Sequence, residues 1–163
     1  MRRHVRKLAV AVSLGVVVAG GALAQETARA KPKCVKVNGT LTSALSTGAC
    51  ASPVGICTTG EFKGDGLLNG PISFTADSVG PASPAEAPTT LVYSGVLTIQ
   101  AKQGTLTIRD TGIFDTANGL VAARDLVLGG TGIFEGATGY ILFNGRGTTS
   151  FVHEASGEIC LQR

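Results

Sequence analysis

Few side chains in this sequence have the chemistry to act on another molecule, and the best of them sit among apolar neighbours at every second position. Asp110 follows Leu106 and Ile108, with Thr105, Thr107 and Arg109 in the alternate phase. In a strand the first three therefore share one half-buried face. Arg124 is in phase with Ala122, Leu126 and Leu128; Tyr93 is in phase with Gly95, Leu97 and Ile99; Tyr140 opens the run Tyr140-Ile141-Leu142-Phe143. A carboxyl on an apolar face has a raised pKa or an ion-pair partner, and either state polarises a molecule beside it. Asp110, Arg124, Tyr93 and Tyr140 are thus the candidates for an interior site. A plainer reading has Asp110 capping the turn at Thr111-Gly112 through backbone amides, with Arg124 as its counter-charge.

Familiar catalytic signatures are missing. The chain has no G-x-S-x-G, H-E-x-x-H or Walker loop, so a hydrolase triad, a zinc protease and a nucleotide-binding loop have no motif to rest on. Gly130-Thr131-Gly132 followed by Gly136 has a superficial nucleotide-loop spacing, but Tyr140-Ile141-Leu142-Phe143 reads as strand where a phosphate-binding helix would begin. His153 and Glu154 precede Ala155-Ser156-Gly157, which places them in a solvated hairpin. No cofactor is expected.

The N-terminus indicates export. Arg2, Arg3, Arg6 and Lys7 form a basic segment, Leu8 to Val18 an apolar one, and Ala22-Leu23-Ala24 a small-x-small cleavage site. Residues 1–24 read as a signal peptide, 25–33 as a flexible polar N-terminus and 34–163 as one domain, secreted or periplasmic. The apolar stretch is too short for a membrane anchor, and no span is expected in the mature chain. The formal charge of +3 comes from 14 basic and 11 acidic residues; losing four basic residues with the signal leaves 10 against 11. That balance gives no electrostatic footprint for nucleic acid.

Cys34, Cys50, Cys57 and Cys160 all lie beyond the signal, and an even number of cysteines in an oxidising compartment indicates disulfides. Of three pairings, the favoured one joins Cys50 to Cys57 across a short loop and Cys34 to Cys160 across the domain. Six residues separate the closest cysteines and the mature chain has one histidine, so no metal site is expected.

The elements that must position these groups are strands. Glycine falls between short β-branched runs, as turn punctuation does. Strands are expected near Cys34–Leu45, Cys57–Phe62, Leu67–Asp77, Thr90–Ala101, Gly104–Asp110, Leu120–Leu128, Gly139–Phe143 and Thr148–Glu154, with a last piece at Glu158–Leu161. Asn144-Gly145 suits a tight hairpin turn. Asn38-Gly39-Thr40 is either a glycosylation acceptor or a bulge. Pro81, Pro84 and Pro88 make Ser78 to Thr89 a surface loop. An internal echo relates Thr111-Gly112-Ile113-Phe114-Asp115 to Thr131-Gly132-Ile133-Phe134-Glu135. It reads as a repeated corner, with Phe114 or Phe134 sealing the core beneath it, in a meander that curls until it closes.

Gly130-Thr131-Gly132-Ile133-Phe134-Glu135-Gly136-Ala137-Thr138-Gly139 resembles the glycine-rich corner of the allene oxide cyclase and dirigent-type β-barrels, including small exported bacterial members. The cysteine-bounded opening Cys34 to Phe74, with Cys50-Ala51-Ser52-Pro53-Val54-Gly55-Ile56-Cys57, and the ending Gly157-Glu158-Ile159-Cys160 are similar to those bacterial members too. The resemblance implies an all-β, calycin-like, eight-stranded antiparallel barrel. It also implies a small hydrophobic ligand held inside, whose cyclisation or isomerisation needs no cofactor. The matching residues are structural: Gly112, Phe114, Gly130, Gly132, Phe134, Gly136 and Gly139 are expected at corners. A barrel filled by its own side chains, acting as a structural or partner-binding protein, is the alternative.

Overall fold

The computed structural model describes residues 31–83 and 87–162, and the side chains of 83–88 are left aside. The export signal expected over residues 1–24 and most of the expected polar N-terminus lie outside the described residues. Among the described residues no helix is long and apolar enough to cross a membrane.

Eight antiparallel strands close into a barrel in simple chain order. They are β1 (Lys33–Leu45), β2 (Cys57–Gly64), β3 (Asn69–Ser83), β4 (Ala87–Ala101), β5 (Gly104–Asp115), β6 (Leu120–Gly130), β7 (Thr138–Gly147) and β8 (Ser150–Leu161), with one 3-10 turn, Gly132–Phe134, before β7. Alternation drives the closure, because each strand has one apolar face that can leave water only by turning inward. The seam is long: β1 pairs with β8 from Lys33 opposite Leu161 to Ala44 opposite Ser150, while pairing with β2 on its other edge. Cys34 lies directly opposite Cys160, and the two form a disulfide; Cys50 and Cys57 form the second. Both expected bridges are present.

The interior has two unlike halves. At the end where β1 and β5 begin, Phe62, Leu68, Ile99, Leu106, Ile108, Phe134, Ile141 and Ile159 are completely or almost completely buried. Phe134 descends from the 3-10 turn as a plug, and Phe62 meets Phe143 edge to face at 6.4 Å. At the other end the walls stand apart.

Several expectations change. The proline-containing stretch Ser78 to Thr89 is mostly hairpin: Val79 pairs with Tyr93 and Pro81 with Leu91, beyond a bulge between Ala76 and Ser78. Proline is tolerated because this ribbon runs out past the body of the barrel, where an unpaired amide position meets water. Asn144 and Gly145 are not a turn; they lie within β7 opposite Glu154 and His153, and the chain reverses at Thr148-Thr149. Likewise the two last pieces fuse into one β8. The echo is not a repeated corner, since Gly112 and Phe114 lie inside β5 while Gly132 and Phe134 form the 3-10 turn. Asn38-Gly39 continues β1 without a break.

The two disulfides constrain very different loops, with sequence separations of 126 and 7. Replacing Cys34 and Cys160 by serine is expected to cost about 4–5 kcal/mol of unfolding free energy, and replacing Cys50 and Cys57 about 2–3 kcal/mol. Urea denaturation of the two double variants measures both; a greater loss from the short loop would contradict this ranking.

Candidate functional site

The open half of the barrel holds a cavity of about 260 Å³. Its wall is mainly apolar, formed by Leu45, Ile56, Phe74, Leu91, Phe114 and Phe151 together with smaller neighbours; Tyr93, Asp110, Thr58, Thr148 and His153 supply the polar atoms. Phe74 meets Tyr93 edge to face at 6.0 Å, and Phe114 meets Phe151 at 5.9 Å. The rim includes the connection between β1 and β2, which is tied down three ways. Cys50 is bonded to Cys57, Ser52 Oγ donates to the Ala76 carbonyl at 2.5 Å, and the Ala76 amide donates to the Ile56 carbonyl at 3.0 Å.

The floor carries the ionisable groups. Asp110 continues the inward phase of Leu106 and Ile108, as its spacing in the sequence indicates, and lines the cavity. Behind it on β6 stands Asp125, fully buried. The pairs Arg109–Leu126 and Gly112–Ala123 on either side place the two acids at the same level of neighbouring strands. Oδ1 of Asp110 and both carboxyl oxygens of Asp125 have no partner in hydrogen-bonding geometry among the described residues. Burial is the main cause pushing Asp110 up to about 6, opposed by Asp125, Tyr93 and Arg109. Burial, then the charge of Asp110, pushes Asp125 up to about 10, with the nearby Thr111 amide pulling the other way. At neutral pH the two carboxyls therefore hold one proton between them.

Tyr93 reaches this pair from β4. Burial raises its hydroxyl pKa, and the charges of Asp110 and Asp125 raise it further, so it stays a donor. The approach depends on a missing side chain: a Cβ on Gly112 would lie 2.6 Å from Tyr93 Oη. His153 enters from β8. Its ring stacks on Phe151 at 6.0 Å and meets Phe143 edge to face at 6.4 Å, while Nε2 has no partner. Burial lowers its pKa and keeps the imidazole neutral at pH 7. Its ring occupies the space that a side chain on Gly145 would need.

Of the four residues singled out from sequence, Asp110 and Tyr93 come together and the other two do not. Arg124 and Tyr140 lie on the outer surface, where the guanidinium carbon sits 5.8 Å from the Tyr140 ring centroid. The phase of β6 is the reverse of the expected one: Val121, Asp125 and Val127 are buried, whereas Leu126 and Leu128 are exposed, the latter 60%. Arg124 is consequently no counter-charge for Asp110, and Asp110 caps no turn. Arg109, next in sequence, also faces outward, pairing with Asp77 and Ser94. That guanidinium holds Asp77 below its ordinary range. Reasoning from sequence missed Asp125 and placed His153 in a solvated hairpin, where the structure puts it on the cavity wall. Among the described residues the one tight group of metal-ligand types is Cys34, Glu158 and Cys160, and its sulfurs are spent in a disulfide.

No protein-family model and no curated protein sequence matches this chain. Among solved structures, the pterocarpan synthase dirigent protein PsPTS1 is similar to it, with a TM-score of 0.47 and 14% identity over 82% of this chain and 99% of that one.

The acid pair makes stability depend on pH in an unusual direction. Both folded pKa values lie above the unfolded value of 3.8, so the folded chain binds more protons and its stability falls as pH rises through the folded values. Thermal unfolding between about pH 5 and pH 9 is expected to show stability decreasing by several kcal/mol, because across this range Asp125 is protonated in the folded chain and ionised in the unfolded one. Asp125→Asn, which removes the deeper titration, is expected to flatten the curve. A wild-type profile that rises across this range would refute the assignment.

Proposed function

We propose that this chain is an exported barrel of the allene oxide cyclase and dirigent type that binds one small hydrophobic molecule in its lumen without a cofactor. The observation that supports it best is the change of filling along the barrel: side chains pack one half solid, and packing stops at the acid pair, above which an apolar cavity begins. Export is supported by the leader pattern in the sequence and by two disulfides. A barrel of eight strands has room either for side chains or for one small ligand. A filled barrel with a purely structural role would need large residues where Ala76, Thr58 and Thr148 leave space.

The chemistry that such a site supports is proton transfer. Asp110 borders the cavity with a pKa near the working pH, which suits an acid or base. Asp125 behind it already holds the pair's one proton, so a proton taken from a ligand stays on Asp110 until it is returned, and the protonated Tyr93 hydroxyl favours the ionised form of Asp110. Prototropic migration of a double bond, or ring closure started by protonation, in an enclosed apolar ligand uses this kind of exchange.

The binding reading is tested with 4-methylphenol, a single-ring probe matched to the cavity. Thermal-shift and NMR titrations of the mature protein are expected to give a dissociation constant on the order of 0.1–1 mM, with shifts centred on Tyr93, Phe114 and Phe151. Leu91→Trp, at the cavity wall, is expected to weaken binding at least about tenfold. Shifts confined to the outer surface would sink the proposal.

A further inference from the structure

We infer that the lumen is built for a small organic ammonium, a primary or secondary amine on a single-ring or short-chain apolar body, with its nitrogen against Asp110. This rests on the lumen being a binding site, as proposed above, and not on any reaction taking place there.

The first support is an imbalance of charge. Two carboxyls occupy the barrel floor, and among the described residues no lysine or arginine lines the cavity. The groups facing Asp110 are Tyr93 from β4, Asp125 from β6 and, across the cavity, His153 from β8. None is a cation at neutral pH. Arg109 on β5 and Arg124 on β6 turn to the outer face, where Arg109 is engaged by Asp77. Buried carboxylates are ordinarily paired with a cation, because leaving one unpaired costs several kcal/mol. Among the described residues none stands beside it in the lumen, so a cationic ligand would complete the arrangement.

The second support is the count of unmet acceptors. Asp110 Oδ1 and, on the facing wall, Nε2 of His153 lack partners, and both residues line the cavity; the oxygens of Asp125 are unpartnered too but lie behind Asp110, out of a ligand's reach. An alcohol or phenol brings a single donor, whereas an ammonium brings two or three donors and the charge. Asp125, which does not border the cavity, keeps the proton, leaving Asp110 ionised toward the ligand.

The walls agree with the floor. Phe74, Tyr93, Phe114 and Phe151 surround the space above Asp110 in edge-to-face pairs, and aromatic faces attract cations. The same carboxyls repel a carboxylate or phosphate ligand. A volume of about 260 Å³ is slightly under the roughly 300 Å³ at which pockets for larger ligands begin, which limits the apolar body to one ring or a short chain.

Calorimetric titration of the mature protein with benzylamine, benzyl alcohol and benzoate separates the possibilities, since the three share a ring and differ in charge. Benzylamine is expected to bind at least about tenfold more tightly than benzyl alcohol near pH 8, and benzoate not at all. The amine preference is expected to vanish in Asp110→Asn. In the wild type it should fall about tenfold between pH 8 and pH 5 as Asp110 takes up a proton. Should Asp110→Asn fail to fold, the wild-type pH series decides. Equal affinity for amine and alcohol, tight benzoate binding, or a preference unaffected by both Asp110→Asn and pH overturns the ammonium assignment and leaves the lumen as a site for neutral ligands. Failure of all three rings to bind overturns both readings.

Discussion

An inside exists in this protein only because β1 finds a second partner. Its pairing with β8 runs nearly the length of both strands and is pinned by the Cys34–Cys160 bridge at the closed end. Without that seam the sheet would have two bare edges and one apolar face open to water. With it, every inward side chain is committed to a common interior, and the interior must then be either packed or occupied. Packing meets that demand in the lower half, where aliphatic side chains and Phe134 exclude water. Above the level of Asp110 it does not.

The boundary between the halves is electrostatic as much as steric. Two carboxyls at one level of adjacent strands are an expensive thing to bury, and among the described residues no lysine or arginine lines the cavity beside them. They persist because one proton relieves their repulsion and Tyr93 supports the charge that remains. Such a pair costs folding stability, and strongly shifted carboxyls beside a cavity are a place where the local rules of folding are broken. Neutral His153, held between Phe143 and Phe151, adds a polar edge to the same space without adding charge.

Most of the barrel was legible in the sequence, since strict alternation in Leu106-Thr107-Ile108 or Tyr93 to Ile99 leaves little choice of face, and the same phase put Asp110 and Tyr93 inside. The errors have physical causes. On β6 the outward residues Leu126 and Leu128 are larger and more apolar than the inward Val121, Ala123 and Val127, so hydrophobicity alone chose the wrong face, hiding Asp125 and promoting Arg124. Asn144-Gly145 has the composition of a turn, yet its glycine serves to leave room for the His153 ring. Both that ring and the Tyr93 hydroxyl fit because an adjacent strand lacks a side chain, and a relation between strands has no trace in local sequence. Proline signalled a loop between β3 and β4, but on a projecting ribbon it costs little.

The division of the lumen also separates two kinds of evolutionary freedom. Residues such as Phe62, Ile99, Ile141 and Phe134 hold the shape, and they stand well away from the mouth. Val79, Leu91, Thr148 and Ile56 sit on protruding or looped backbone whose anchorage comes from the β3–β4 ladder and the Cys50–Cys57 bridge. Substitutions among the latter can reshape the cavity while the chain still folds. Descendants of this sequence could therefore diversify in the contour of their hollow long before they diverge in form.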